Sequence, residues 1–235
     1  MTPRKRHHLI RNIGITIAVI VIILIVAVTA FHFWMDSQKA QTSVNPALKV
    51  GDTFTYKLNG SSVLGSADAV TPEEFVQYNN TEYYQVTVTK INGSQVAIGT
   101  RWQFNNGTQI SGMQVVDLST GASADPTGFD YLYSSNLNVN DKLYPKETSG
   151  LSVNSSSTQK FANSSRATNY WAIESNFINT SDQTGNTMRN DFIGVYFDKQ
   201  TGMLDKLTRI EFFTNPQILL TINWELTSSN VWVVQ

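Results

Sequence analysis

An uncharged apolar run from Ile13 to Phe31 limits this chain more than any other feature. Arg4, Lys5, Arg6 and Arg11 precede it, and the first acid is Asp36. A membrane-crossing helix needs about 20 apolar residues, which this run and its aromatic flank supply. The chain therefore reads as a basic tail over 1–12, a transmembrane helix over 13–35, a polar linker over 36–46 and a β domain over 47–235. Lys and Arg are retained on the cytoplasmic side, so the N-terminus is expected inside and the rest outside. Trp34 and Phe33 fit the interfacial aromatic belt. Val28-Thr29-Ala30 also offers the small residues of a signal-peptidase site. The run exceeds the usual core of about 7–15 residues, which favours a retained anchor. The lipid bilayer is thus the first expected partner.

Everything beyond the span carries thirteen cations against eighteen acids, a net of about −5, so no nucleic-acid partner is expected. Ser, Thr, Asn and Gln are abundant there, with enough Tyr, Phe, Trp, Val and Ile to fold. The chain has no cysteine, hence no disulfide, no thiolate and no lipid-modified Cys. Its three histidines, His7, His8 and His32, all precede the domain. Ser-His-Asp and Cys-His catalysis and the usual zinc sites are excluded from it. No catalytic residue, cofactor or metal is assigned, and the expectation is a non-enzyme.

Phe54, Tyr56 and Leu58 alternate with polar residues over Thr53–Leu58, the period of a half-buried strand, which Asn59-Gly60 is expected to close. Thr71, Pro72, Glu73 and Glu74 predict a short helix with Thr as N-cap and Pro in the first position. Tyr84, Val86 and Val88 share a face of the strand Tyr83–Ile91, and Asn92-Gly93 predicts a two-residue turn. Gln95–Phe104 and Gln109–Leu118 complete a meander. Residues 122–150 show no period. Further strands are predicted at Leu151–Val153, Thr158–Ala162, Ala167–Glu174, Phe192–Phe197, Met203–Phe213, Ile218–Leu226 and Val231–Val234. Leu204, Leu207 and Ile210 are the inward candidates of the Met203 strand. Val50-Gly51-Asp52 and Val139-Asn140-Asp141 form a short internal echo. The expected fold is mainly β: one antiparallel domain, built as a curved sheet, half-barrel or sandwich, with at most a short helix.

Seven Asn-x-Ser/Thr sequons, at Asn59, Asn79, Asn92, Asn106, Asn154, Asn163 and Asn179, are candidate glycosylation sites. Asn59, Asn92 and Asn106 fall in predicted turns, which favours them. Trp102, Trp171, Trp224 and Trp232 offer a stacking platform for sugars, although their strand positions favour the core. Asp198 and Asp205 flank a hairpin without the spacing of a calcium loop.

Asn80–Thr89, Asn106-Gly107-Thr108, Val116–Gly121, Asn136–Asp141, Arg166–Asn169, Tyr196–Leu204 and Leu226–Trp232 resemble a group of uncharacterised archaeal membrane-anchored cell-surface proteins. The resemblance implies an extracellular β-rich domain and supplies no activity. The expected role is binding or structural within the cell envelope, with an envelope protein, a glycan or an apolar ligand as partner. Two alternatives accompany it. One is a carrier holding a lipid in a curved sheet; the other is a pilin-like filament subunit, although Arg11-Asn12-Ile13-Gly14 lacks a basic residue directly before Gly.

Overall fold

The structure, a computed structural model, describes residues 23–31, 44, 46–123, 129–148, 150–161, 163–178 and 188–232. The chain divides into two units, Met1–Ser43 and Val44–Gln235. In the first, residues 23–31 form a helix, α1, with exposed Ile23, Leu24, Ile25, Val26, Val28 and Phe31. The Thr29 hydroxyl donates back to the carbonyls of Ile25 and Val26 at 2.9 and 3.0 Å, so it presents no unpaired donor to an apolar surrounding. Among the described residues no helix is long and apolar enough to cross a membrane. The rest of the predicted span, 13–22 and 32–35, lies outside them, as does the basic tail 1–12.

The second unit is one antiparallel nine-stranded sheet of order β4-β3-β2-β1-β9-β8-β7-β6-β5. The strands are β1 (Thr53–Leu64), β2 (Thr81–Asn92), β3 (Gln95–Phe104), β4 (Gln109–Asp117), β5 (Ser155–Phe161), β6 (Ser164–Ile178), β7 (Met188–Asp198), β8 (Leu204–Thr214) and β9 (Gln217–Ser229). A short helix, α2 (Glu73–Asn79), interrupts β1 and β2. The sheet thus consists of two meanders joined in the middle where β1 pairs with β9. It bends enough for β5 to touch β9, although three strands lie between them in the order.

The bend encloses one face. Phe54 and Tyr56 on β1, Val86 on β2, Val96 and Ile98 on β3, and Val195 and Phe197 on β7 point there and are fully buried. The described residues between β4 and β5, 118–123, 129–148 and 150–154, lie across this face between the two sheet edges. Phe129 packs on Tyr56 with ring centroids 5.6 Å apart, and further on Tyr133 packs on Phe197 at 4.6 Å. Leu132 and Leu143 fill the space around them, both fully buried. The crossing is stitched to the β7–β8 turn, where the Tyr133 N–H donates to Gly202 O at 2.9 Å. Gly202 has φ +77°, and a Cβ there would stand 2.0 Å from Tyr133 O, so only glycine permits this approach.

Several boundaries differ from expectation for local reasons. β1 continues through Asn59-Gly60, because Gly60 supplies the low spot on which α2 sits: a Cβ there would lie 3.2 Å from Phe75 O. Thr71 is not the helix N-cap; its hydroxyl pairs with Ser62 Oγ at 2.7 Å, and Pro72 takes the cap position without a side-chain bond. Asn92 pairs with Gln95, so the turn is Gly93-Ser94, with Gly93 at φ +59°. Residues 151–153 form no strand beyond a Lys142–Ser152 bridge, and β5 begins at Ser155. Val231 and Trp232 are not in a strand, and residues 233–235 lie outside the described ones. Trp232 instead packs edge-on against Phe54 at 5.7 Å.

The internal echo corresponds to two turns of the same construction. The Lys49 N–H donates to Asp52 Oδ2, and the Asn138 N–H to Asp141 Oδ2, both at 2.7 Å. Gly51 and Asn140 both take positive φ, and their N–H groups donate to Val88 O and Val153 O, each at 2.9 Å. Val88 and Val153 in turn donate to the Asp52 and Asp141 carbonyls.

Candidate functional site

Strand alternation and register place side chains from three rows on the enclosed face near its β4 end. Ile110, Trp102, Tyr84 and Tyr56 lie side by side across β4, β3, β2 and β1. Leu58, Trp224 and Leu207 form the next row, and Gly60, Ile222 and Arg209 the one after. Above Gly60 the Asn79 side chain accepts from the Gly60 N–H at 3.0 Å and donates to its carbonyl at 2.6 Å. That amide clasp fixes α2 and sets Tyr78 against Trp102. From the crossing segment come Phe129, Asp130 and Tyr131. Phe129 is seated by buried Gln114, whose amide bonds both the N–H and the carbonyl of residue 129.

These groups leave a cleft of about 510 Å³, within the range of small-ligand sites. Five rings wall it in a continuous arc. Centroid separations are 5.7 Å for Tyr78–Trp102, 6.0 Å for Trp102–Tyr84, 4.7 Å for Tyr84–Trp224 and 6.1 Å for Trp224–Tyr131. Trp102 is held by its indole N–H, which donates to Thr81 Oγ1 at 2.7 Å. Arg209, Asp130 and Thr100 add polar groups to the lining. Gly112 faces Thr100 across β4 and β3 and leaves its own share of the inner face vacant of side chain. Ile110, well exposed, forms the lip.

Arg209 belongs to a charged grid on β7 and β8. Asp191 and Glu211 stand directly opposite each other, an unfavourable like-charge pair without cations. Arg209 Nη2 lies 2.6 Å from Glu211 Oε1 and 3.9 Å from Asp191 Oδ2, and Arg189 Nη2 lies 2.7 Å from Asp191 Oδ2. Two cations and two anions balance. Arg189 also stacks over Phe177 at 4.9 Å. Burial pushes the Tyr131 phenol up to about 12, against the opposing pull of Arg209, so its hydroxyl remains a proton donor at neutral pH.

Sequence reasoning missed Arg209, taking Ile210 as inward. The register passes from Tyr196↔Lys206 to Phe197↔Leu204, leaving Asp205 as an extra residue. This bulge explains why Leu204 and Leu207 both point inward, after which strict alternation selects Arg209. Of the four tryptophans beyond the span, Trp102 and Trp224 meet in the cleft, while Trp171 and Trp232 are buried elsewhere.

Asp198 and Asp205 do come together, but as a core polar cluster. Asp198 accepts from Arg166 Nε at 2.8 Å and from the Thr201 N–H and hydroxyl at 2.7 and 2.8 Å, so its oxygens are engaged. Asp205 is fully buried, with Oδ2 3.4 Å from the Thr168 hydroxyl and Oδ1 unpaired. Burial, reinforced by the Asp198 charge, pushes its carboxyl well above the ordinary range. Among the described residues no three His, Cys, Asp or Glu side chains are grouped to hold a metal.

The sequon asparagines have different surroundings. Asn59 is exposed in mid-β1, Asn92 ends β2, and Asn163 has φ +63° after β5. Asn106 accepts from the Thr108 N–H and hydroxyl, and Asn154 from the Ala172 N–H. Asn79 spends both ends of its amide on Gly60. Asn179 lies outside the described residues.

No protein-family profile matches this chain, and no curated protein matches it either.

Proposed function

We propose that the chain is a single-pass membrane protein whose β domain stands outside the cell and binds a small ligand without turning it over. The ring-walled cleft is the observation that carries this reading. It is a concave site with a few convergent polar groups, on a face that the crossing segment otherwise fills. Absence of His and Cys from the domain weighs against catalysis, and the oxygens of Asp198 are engaged by Arg166 and Thr201. The apolar run of 13–31, its basic flank and the helical 23–31 support the tether. The resemblance to archaeal surface proteins points the same way. Asn59, Asn92 and Asn106, all exposed, are the sequons best placed to carry glycans.

A lipid carrier is less well supported, because Phe129, Leu132, Tyr133 and Leu143 occupy the space a lipid tail would need. The remaining cleft has Arg209 and Asp130 in its wall, and covering a charge with hydrocarbon is costly. Protease added to intact cells tests the reading. The β domain should be digested from outside while the 1–12 tail stays protected, and the protein should resist carbonate extraction. An intact domain in sealed cells, or full release by carbonate, would overturn it.

A further inference from the structure

We propose that the cleft takes an uncharged sugar ring of an oligosaccharide. The inference rests on the preceding reading that the domain is a binding module and names its ligand class.

Three properties of the cleft lead there. The first is the shape of its wall. Neighbouring rings meet at interplanar angles of 39°, 63°, 58° and 61° along the arc from Tyr78 to Tyr131, so no two adjacent faces lie parallel. A flat heterocycle wants a parallel-sided slot. A puckered ring with C–H bonds on its faces suits a curved wall of tilted rings, where each face meets apolar hydrogens at its own angle. The second is the mixture of polar groups among the rings. Tyr131 supplies a neutral hydroxyl donor, Arg209 further donors and Asp130 an acceptor, the set that reads hydroxyls arrayed around a ring. An acyl chain would strip water from these groups and return no hydrogen bond.

The third property is charge. Arg209 would favour an anion if it stood alone. Glu211 and Asp191 already neutralise it together with Arg189, and Asp130 adds a further negative charge at the cleft. A uronate or sulfated sugar therefore gains no net attraction, and a neutral one gives up nothing.

The test uses the full chain reconstituted in phospholipid nanodiscs, since detergent monomers compete for an apolar wall. It is applied to an array of neutral and acidic oligosaccharides, and retained glycans are titrated calorimetrically, with oleate and adenosine as other probes. At least one neutral glycan should bind, at least tenfold more tightly than its uronate counterpart. Trp102→Ala and, on the more exposed α2, Tyr78→Ala should each weaken it tenfold or more with an unchanged circular dichroism spectrum. Trp102→Phe keeps a ring and should lose less. Equal binding of the uronate, or binding that survives both alanine variants, would overturn the proposal. So would an array with no neutral ligand. If oleate or adenosine binds instead, and Trp102→Ala abolishes it, the sugar assignment fails while the binding module stands. If nothing binds, both fail.

Discussion

The enclosed face of the sheet is finished differently at its two ends. Under the crossing segment, Val195, Phe197 and Leu204 are fully buried. At the β4 end the same alternation yields half-buried Trp102, Thr100 and Arg209, with Ile110 56% exposed. Both ends carry inward apolar residues, and only one has something laid over all of them. Alternation therefore reports which way a side chain points, and a separate stretch of chain decides whether it becomes core or wall.

Substitutions can break or sharpen this contrast. Phe129→Ala should cost most, about 4 kcal/mol, since it empties the ring that joins Tyr56, Tyr84 and Trp224; urea unfolding measures it. Gly202→Ala should follow at about 3 kcal/mol, because a Cβ meets Tyr133 O and the left-handed φ is strained, shifting the urea midpoint without changing its slope.

Asp205 adds a pH-dependent effect. Its folded pKa is raised above the unfolded value, so its contribution is complete below about pH 4 and is lost as pH rises towards the folded pKa. The loss is at most about 1.4 kcal/mol per pH unit. The charged and polar groups that face it are Asp198, Arg166, the Tyr56 phenol and the Thr168 hydroxyl. Asp205→Asn should then gain stability relative to wild type between pH 4 and 7, with the two converging in acid. A constant difference across that range would place the proton elsewhere. At the open end, Ile110→Thr should stay within about 0.5 kcal/mol by the same urea assay. A cost approaching that of Phe129→Ala would mean the lip is core and the contrast false.

Much of the first meander was legible. β3 runs over Gln95–Phe104 as its alternation predicts, and Tyr84, Val86 and Val88 share the buried face. Those signals are local, each residue reporting its own exposure. The crossing segment was illegible because its side chains answer to the strands beneath it and follow no period of their own. Gly60 misled for a related reason: glycine beside asparagine reads as a turn, whereas here it makes room for Phe75 and Tyr78. The cleft was half visible, in Trp102 and Trp224. Arg209 stayed hidden because one bulged residue on β8 resets the phase, and no sequence pattern marks Asp205 as that residue.

The central β1–β9 pairing has a mechanical consequence. The chain from Val44 onward enters the sheet at β1, which is held on one side by β2 and on the other by β9 from Phe54↔Ser229 to Leu64↔Ile218. Tension arriving from the N-terminal side along this strand would load that ladder in shear, so many hydrogen bonds must yield together. A strand at the edge would unzip one bond at a time. Force applied from that side would therefore be resisted by the whole β1–β9 ladder at once.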